Sequence, residues 1–329
     1  MNTQIFATFG PACREQEVLK QMIENGMTGM RLNLSHTTLP ASSDYIKAYQ
    51  KASKELKVVP QILIDMQGPE LRVGDIEKPL NLPNGTEIRL GTEGISVPKT
   101  VIETLEIGDE VLLDDGKISI RIIEGNQENV TAEVIRGGIL RGHKSIKVIG
   151  KNVKMPVLTE HDIENIKLAK EYGVTALMQP FVLCGEDLSQ VRAVLKENGA
   201  DDIKIFAKIE NKMGLLHLED IVPEADGIVI ARGDLGNDMP LWELPAAQKQ
   251  IEDLCKKHKK PYVVVTQMLA SMEYNPVPTR AEVSDIFHAV VNGAYGVMIT
   301  GESAVGKYPV EAVKYLSNTA KEAEKYIIY

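Results

Sequence analysis

Lys208-Ile209-Glu210 closes one apolar run, 203–207, and Ala231-Arg232-Gly233-Asp234-Leu235-Gly236 closes the next, 227–230. Residues two apart on a strand share a face, so Lys208 and Glu210 aim together at a strand end. Asp234 follows at the end of the next strand unit. A cation and two carboxylates at neighbouring strand ends suit a divalent cation, Mg²⁺ or Mn²⁺, bridging a phosphorylated ligand. The lysine would stabilise charge on a transferring group. Gly233 and Gly236 would let backbone N–H groups approach a carboxylate or phosphate. The plain alternatives are charged strand termini and a tight turn.

A second group lies earlier. Arg31, Asn33 and Ser35 alternate on one predicted strand, and Asp65 ends the next. Polar residues inside apolar strands cost free energy unless paired. They form either a structural polar network or an oxygen-ligand site for a cation, with Arg31 left to clamp a phosphate. Gly68-Pro69-Glu70-Leu71-Arg72 follows Asp65, placing Arg72 where a phosphate could be met. Thr266 ends the seventh predicted strand, where it could bind substrate or relay a proton. The segment 301–307, GESAVGK, looks like a phosphate loop, but Tyr308 and Pro309 stand where that loop needs Ser or Thr. It reads instead as a Gly-rich active-site loop.

Eight short apolar runs must carry these residues: 4–9, 28–34, 60–66, 174–181, 203–209, 226–231, 261–267 and 295–300. Amphipathic segments near 14–25, 40–57, 160–172, 185–198, 211–220, 243–258, 279–292 and 309–326 alternate with them. Eight strand–helix units predict an α/β fold, a closed (β/α)8 TIM barrel with its chemistry at the strand C-termini. Thr159 and Thr279 each precede an acid by three residues, a helix-capping pattern. Residues 73–155 break the alternation with β-like runs at 87–90, 110–113, 117–123 and 130–135. The expected domains are a barrel from 1–72 and 156–329, and an inserted β-barrel-like lid domain from 73–155 after strand three.

Composition narrows the partners. The 329 residues carry a net charge of −9, which argues against nucleic acid or an anionic membrane as partner. No apolar run reaches the ~18 residues of a membrane span. Three distant cysteines give no disulfide or zinc spacing, so a reducing, cytoplasmic setting is expected.

Longer motifs resemble the pyruvate kinase family in that family's order over nearly the whole chain. They are Thr8-Phe9-Gly10-Pro11-Ala12, Met30 to His36, Asp65 to Arg72, Ala207 to Asn211 and Ala231 to Gly236, then Thr266 to Met272, Pro278 to Glu282 and Gly301-Glu302. The resemblance implies phosphoryl transfer from phosphoenolpyruvate to ADP, giving pyruvate and ATP, with Mg²⁺ (or Mn²⁺) and K⁺. It implies Lys208 as the lysine stabilising the transferring group, and Glu210 and Asp234 as divalent-metal ligands. Arg31 becomes the phosphate-binding arginine. Asn33, Ser35, Asp65 and the Met66 carbonyl become the K⁺ site, and Glu70 is the residue type tied to K⁺ dependence. Gly233, Asp234 and Thr266 would hold the substrate carboxylate. Arg72, Lys144 and His36 match nucleotide contacts.

Departures cluster on the nucleotide side and the lid hinge. Gln67 stands for a usual Lys, Pro180 to Leu183 for a Ser-Phe-x-Arg segment, Val305 for a lysine and Thr300 for a serine. The hinge segment reads Lys144 to Gly150, and Lys147, Lys151 and Lys154 could supply replacement charge. The chain ends at Tyr329, where the family usually carries a further C-terminal domain, so none is expected here; a homo-oligomer is admitted but not required. The alternatives are a repurposed member with another phosphoryl acceptor or metal-dependent lyase activity, and a non-catalytic binding protein.

Overall fold

Eight parallel strands close into a barrel: Gln4–Thr8, Gly29–Asn33, Gln61–Asp65, Ala176–Gln179, Lys204–Ile209, Gly227–Ala231, Tyr262–Val265 and Gly296–Ile299. This computed structural model describes residues 3–327 apart from Glu70, Asp115, Asn152 and Lys154. The strands follow the eight apolar runs, and the eighth pairs with the first. The runs are apolar on both faces because both are buried. Phe6, Leu63, Met178, Phe206, Val229, Val263 and Met298 fill the barrel interior. Their neighbours Ile5, Ile62, Leu177, Ile205, Ile228, Val264 and Val297 pack outward against the helices.

The two phenylalanines need room that three glycines give. A Cβ at Gly29 or Gly296 would lie 2.8 Å from the Phe6 ring, and one at Gly227 2.4 Å from Phe206. Interior volume is conserved by pairing the largest side chains with none.

The helices fall close to the amphipathic segments, among them Gln16–Glu24, Ser43–Glu55, Glu160–Ala169, Gly185–Glu197, Leu244–His258, Arg280–Val291 and Pro309–Glu324. Thr159 and Thr279 both form capping boxes, with Asp162 and Glu282. The segment expected as one helix over 211–220 is two, Lys212–Leu216 and Leu218–Glu224. They meet at His217, whose Nδ1 lies 2.7 Å from the Leu183 carbonyl instead of continuing a helical face. No described helix is long and apolar enough to cross a membrane.

The chain divides into two compact units, Met1–Gly68 with Val157–Tyr329, and Pro69–Pro156. The second has its own core of Leu90, Val111, Leu113, Ile118, Ile120, Val134 and neighbours. Its main sheet has five antiparallel strands, ordered Ile146–Val148, Glu110–Leu113, Ile118–Gly125, Asn129–Arg136, Glu87–Gly91, beside a ribbon of Leu80–Leu82 with Gly138–Leu140. The expectation of β structure throughout is corrected at Lys99–Thr104, a short helix behind Pro98 that buries Val101 and Ile102.

Candidate active site

A continuous polar belt crosses the C-terminal end of the barrel interior. Alternation puts Lys208 on the face of Phe206 and Asp65 on that of Leu63, one step nearer the strand ends. Strand register then sets Thr8 beside Arg31, and Asn33 and Met178 beside Asp65. Thr8 Oγ1 donates to the Ile299 carbonyl (3.0 Å) and accepts from Arg31 Nη1 (3.2 Å). Arg31 Nε and Nη2 donate to Asp65 Oδ2 at 2.9 and 2.5 Å. Lys208 Nζ lies 3.0 Å from Asp65 Oδ1 and 2.7 Å from Glu210 Oε1. Glu210 Oε2 in turn accepts the Phe181 N–H at 2.9 Å.

Burial makes these charges matter. The side chains of Lys208 and Arg31 are 13% exposed, Glu210 4% and Asp65 2%. Burial would lower the Lys208 pKa, but the Asp65 and Glu210 carboxylates outweigh it and hold the ammonium above the ordinary lysine range. Burial would raise Asp65; Lys208 and then Arg31 outweigh it, so its carboxyl sits below the usual range. Glu210 is raised, by burial first and then by the Asp234 carboxylate, against the pull of Lys208. That coupling places Asp234 within electrostatic reach of Glu210.

Glu210 beside the Lys208 ammonium, with the Asp234 carboxylate in electrostatic reach, is a donor set that suits a hard divalent cation. Among the described residues no three His, Cys, Asp or Glu side chains gather as a cage. Two carboxylates completed by substrate and water oxygens match how Mg²⁺ is ordinarily held. Asn33 Oδ1 accepts the Ser35 N–H (3.2 Å), and Leu34 N–H donates to the Asp65 carbonyl (2.9 Å). These bonds tie the turn after the second strand to the end of the third. Asp65 Oδ2 accepts two N–H groups of Arg31, while Oδ1 meets Lys208 with one of its acceptor sites.

Several expectations need correction. Ser35 is not on the strand, which ends at Asn33; it sits in the following turn because Asn33 folds back onto its N–H. The tight turn that is the plain alternative for Gly233 and Gly236 does not form. Residues Arg232–Asp238 form a short helix, so the Gly233 and Asp234 N–H groups belong to a helical first turn without intrahelical acceptors. Thr266 lies one residue past its strand, in the left-handed region at φ 71. Its side chain packs on Gly233, where a Cβ would lie 3.0 Å from Thr266 Cγ2. Gly301 and Gly306 are closely packed: Cβ atoms there would lie 2.0 Å from Glu273 Oε1 at Gly301 and 2.4 Å from the Glu302 carbonyl at Gly306.

The residues expected on the nucleotide side are divided between the two units. His36 is exposed at the end of the turn after the second strand, and Val305 is exposed after the eighth. Arg72 and Lys144 belong to the inserted unit. There Arg72 donates to the His143 carbonyl (2.6 Å), and Lys144 pairs with Asp114 at 2.9 Å. Lys151 is held by Glu106 and Asp109, so its charge is already matched within the insert. Glu70 and Lys154 lie outside the described residues.

Sequence reasoning gave no role in the site to four residues that shape it. Thr8 orients Arg31. Asp162, expected only as a cap, also accepts the Gln67 and Gly68 N–H groups (2.9 and 3.1 Å) just past Asp65. Glu302, 1% exposed, accepts from Leu269 N–H (3.0 Å) and Thr300 N–H (2.7 Å), tying the loops after strands seven and eight. Arg232 reaches the seventh strand. The only signal for these was their place inside longer motifs.

Comparison with known proteins agrees with this arrangement. A family model described as "Pyruvate kinase, barrel domain" matches residues 1–313. The chain is 37% identical to the protein named pyruvate kinase of Chlamydia pneumoniae, over 98% of this chain and 69% of that one. It is 37% identical to that of Thermococcus litoralis, over 98% and 70%. For that of Bacillus licheniformis the identity is 36%, over 98% and 57%.

Proposed function

The chain belongs to the pyruvate kinase family, and from that premise we propose that it transfers the phosphoryl group of phosphoenolpyruvate to ADP. The carrying observation is Lys208: a buried ammonium, 3.0 and 2.7 Å from two carboxylates, kept charged at a closed barrel's C-terminal end. Phosphoryl transfer asks a protein mainly for positioning and charge neutralisation. A terminal ADP oxygen forms the new P–O bond as the bond from phosphorus to the enol oxygen breaks. Lys208 and Arg31 face the negative charge on the moving group. The leaving enolate takes a proton at carbon, by way of the Thr266 hydroxyl, to give pyruvate.

The helical N–H groups of Gly233 and Asp234 hold the substrate carboxylate. Glu210 and Asp234 hold Mg²⁺ or Mn²⁺, which when bound supplies charge neutralisation and a template for the phosphate oxygens. Asn33, Ser35, Asp65 and the Met66 carbonyl hold K⁺. Asp65 also fixes Arg31 and Lys208 relative to one another.

Pyruvate formation from phosphoenolpyruvate and ADP tests this reading. Lys208→Met should lower turnover by at least ~10³-fold with the fold retained; robust turnover in that variant removes Lys208 from the mechanism. A second reading, a different phosphoryl acceptor, is favoured by the pairing of Lys144 with Asp114. Thermal stabilisation by phosphoenolpyruvate but not by ADP, with turnover on another acceptor, would select it.

A further inference from the structure

We propose that Arg232 is a positioning residue for Thr266, holding the loop after the seventh strand in the backbone conformation that lays the Thr266 side chain over Gly233. Arg232 opens the helix after the sixth strand. Its side chain, 12% exposed, crosses to the neighbouring strand end. Nε donates to the Val265 carbonyl (3.2 Å) and Nη2 to the Thr266 carbonyl (2.7 Å). Nη1 is fixed from outside the barrel by Asp285, at 2.9 Å from Oδ1.

The segment it grips is strained. Thr266 and Gln267 both have positive φ, 71 and 56. A β-branched residue rarely adopts this conformation, which persists only when its surroundings over-determine it. Two carbonyls held by one planar guanidinium are such a constraint, and a lysine ammonium cannot reproduce the fork. The next residue, Gly233, admits Thr266 because it has no Cβ. One turn of chain thus carries the amides assigned to the substrate carboxylate and the anchor of the hydroxyl assigned to the proton. The inference rests on that assignment of Thr266.

The test is a double-mutant cycle of Arg232→Lys with Thr266→Ala, read as kcat and KM for phosphoenolpyruvate. Each single change should lower kcat by about 100-fold, with kcat rather than KM carrying the loss. The double variant should be no slower than Thr266→Ala alone. Losses that multiply, or either single variant at full kcat, overturn the proposal. A crystal structure of Arg232→Lys should show Thr266 relaxed to negative φ; an unmoved Thr266 also overturns it. If Arg232→Lys does not fold, Asp285→Asn replaces it, with a smaller loss that again does not add to Thr266→Ala; full kcat there is equally fatal. If the native chain forms no ATP, the functional reading has failed, and the Thr266 backbone alone decides whether Arg232 positions it.

Discussion

Replacing Asp65 by asparagine should cost the barrel a sizeable part of its stability. The carboxylate is 2% exposed and meets Arg31 through Oδ2, at 2.9 and 2.5 Å, and Lys208 through Oδ1, at 3.0 Å. Asparagine keeps the shape but not the charge, and its NH₂ end must face one of the two cations. Removing one partner of a buried ion pair leaves an uncompensated charge and costs about 3–5 kcal/mol. Arg31 keeps Thr8 and Lys208 keeps Glu210, so the lower end, about 3 kcal/mol, applies. At about 2–4 °C per kcal/mol for a domain of this size, the melting temperature should fall by roughly 6–12 °C. Calorimetry or circular dichroism at neutral pH measures it. Because buried pairs are weakly screened, the fall should persist in 1 M NaCl, a standard high-salt condition. A fall under about 2 °C, or one erased by salt, would show that these cations are solvated, and the buried-belt argument would fail.

Two further outcomes are expected. Asp234→Asn should raise the Mg²⁺ concentration for half-maximal turnover at least ~10-fold, because Glu210 alone then meets the ion; an unchanged Mg²⁺ titration would exclude Asp234 as ligand. The pH dependence should show at Glu282, whose carboxylate accepts from Ser271 N–H (2.8 Å) and Oγ (2.6 Å) and from Thr279 N–H (2.7 Å). Burial pushes its pKa up, but these donors outweigh it and hold it below the usual range. A depressed folded pKa gives stability that is full above the unfolded value, ~4.3, and is lost as pH falls through the folded one. Glu282→Gln should therefore destabilise at neutral pH and converge with the native chain in acid; a pH-independent deficit would contradict this.

Much of the architecture was legible because it is local. Thr159 and Thr279 signal their helices through acids three residues on. The eight barrel strands show as short apolar runs bounded by turns. The misses have local reasons too. Lys99–Thr104 is short, and its buried Val101 and Ile102 read equally well as strand. His217 breaks a helix by bonding to Leu183, a partner 34 residues away. Arg232–Asp238 carries two glycines, which spoke for a turn, yet it is helical with Leu235 buried beneath it.

The site divides along the same line. Sequence alone determined that Lys208 and Glu210 share a face, because side chains alternate every two residues, and that Arg31 and Asn33 do likewise. Only tertiary structure decided that Lys208 faces Asp65, 143 residues away in the chain, and that Arg232 meets Asp285, 53 away. Those pairings depend on which strands become neighbours and in what register, as with Asn33 beside Asp65. Barrel closure sets that register through the packing of Phe6, Phe206 and the glycines opposite them, a balance of volumes spread over the chain that no short stretch encodes.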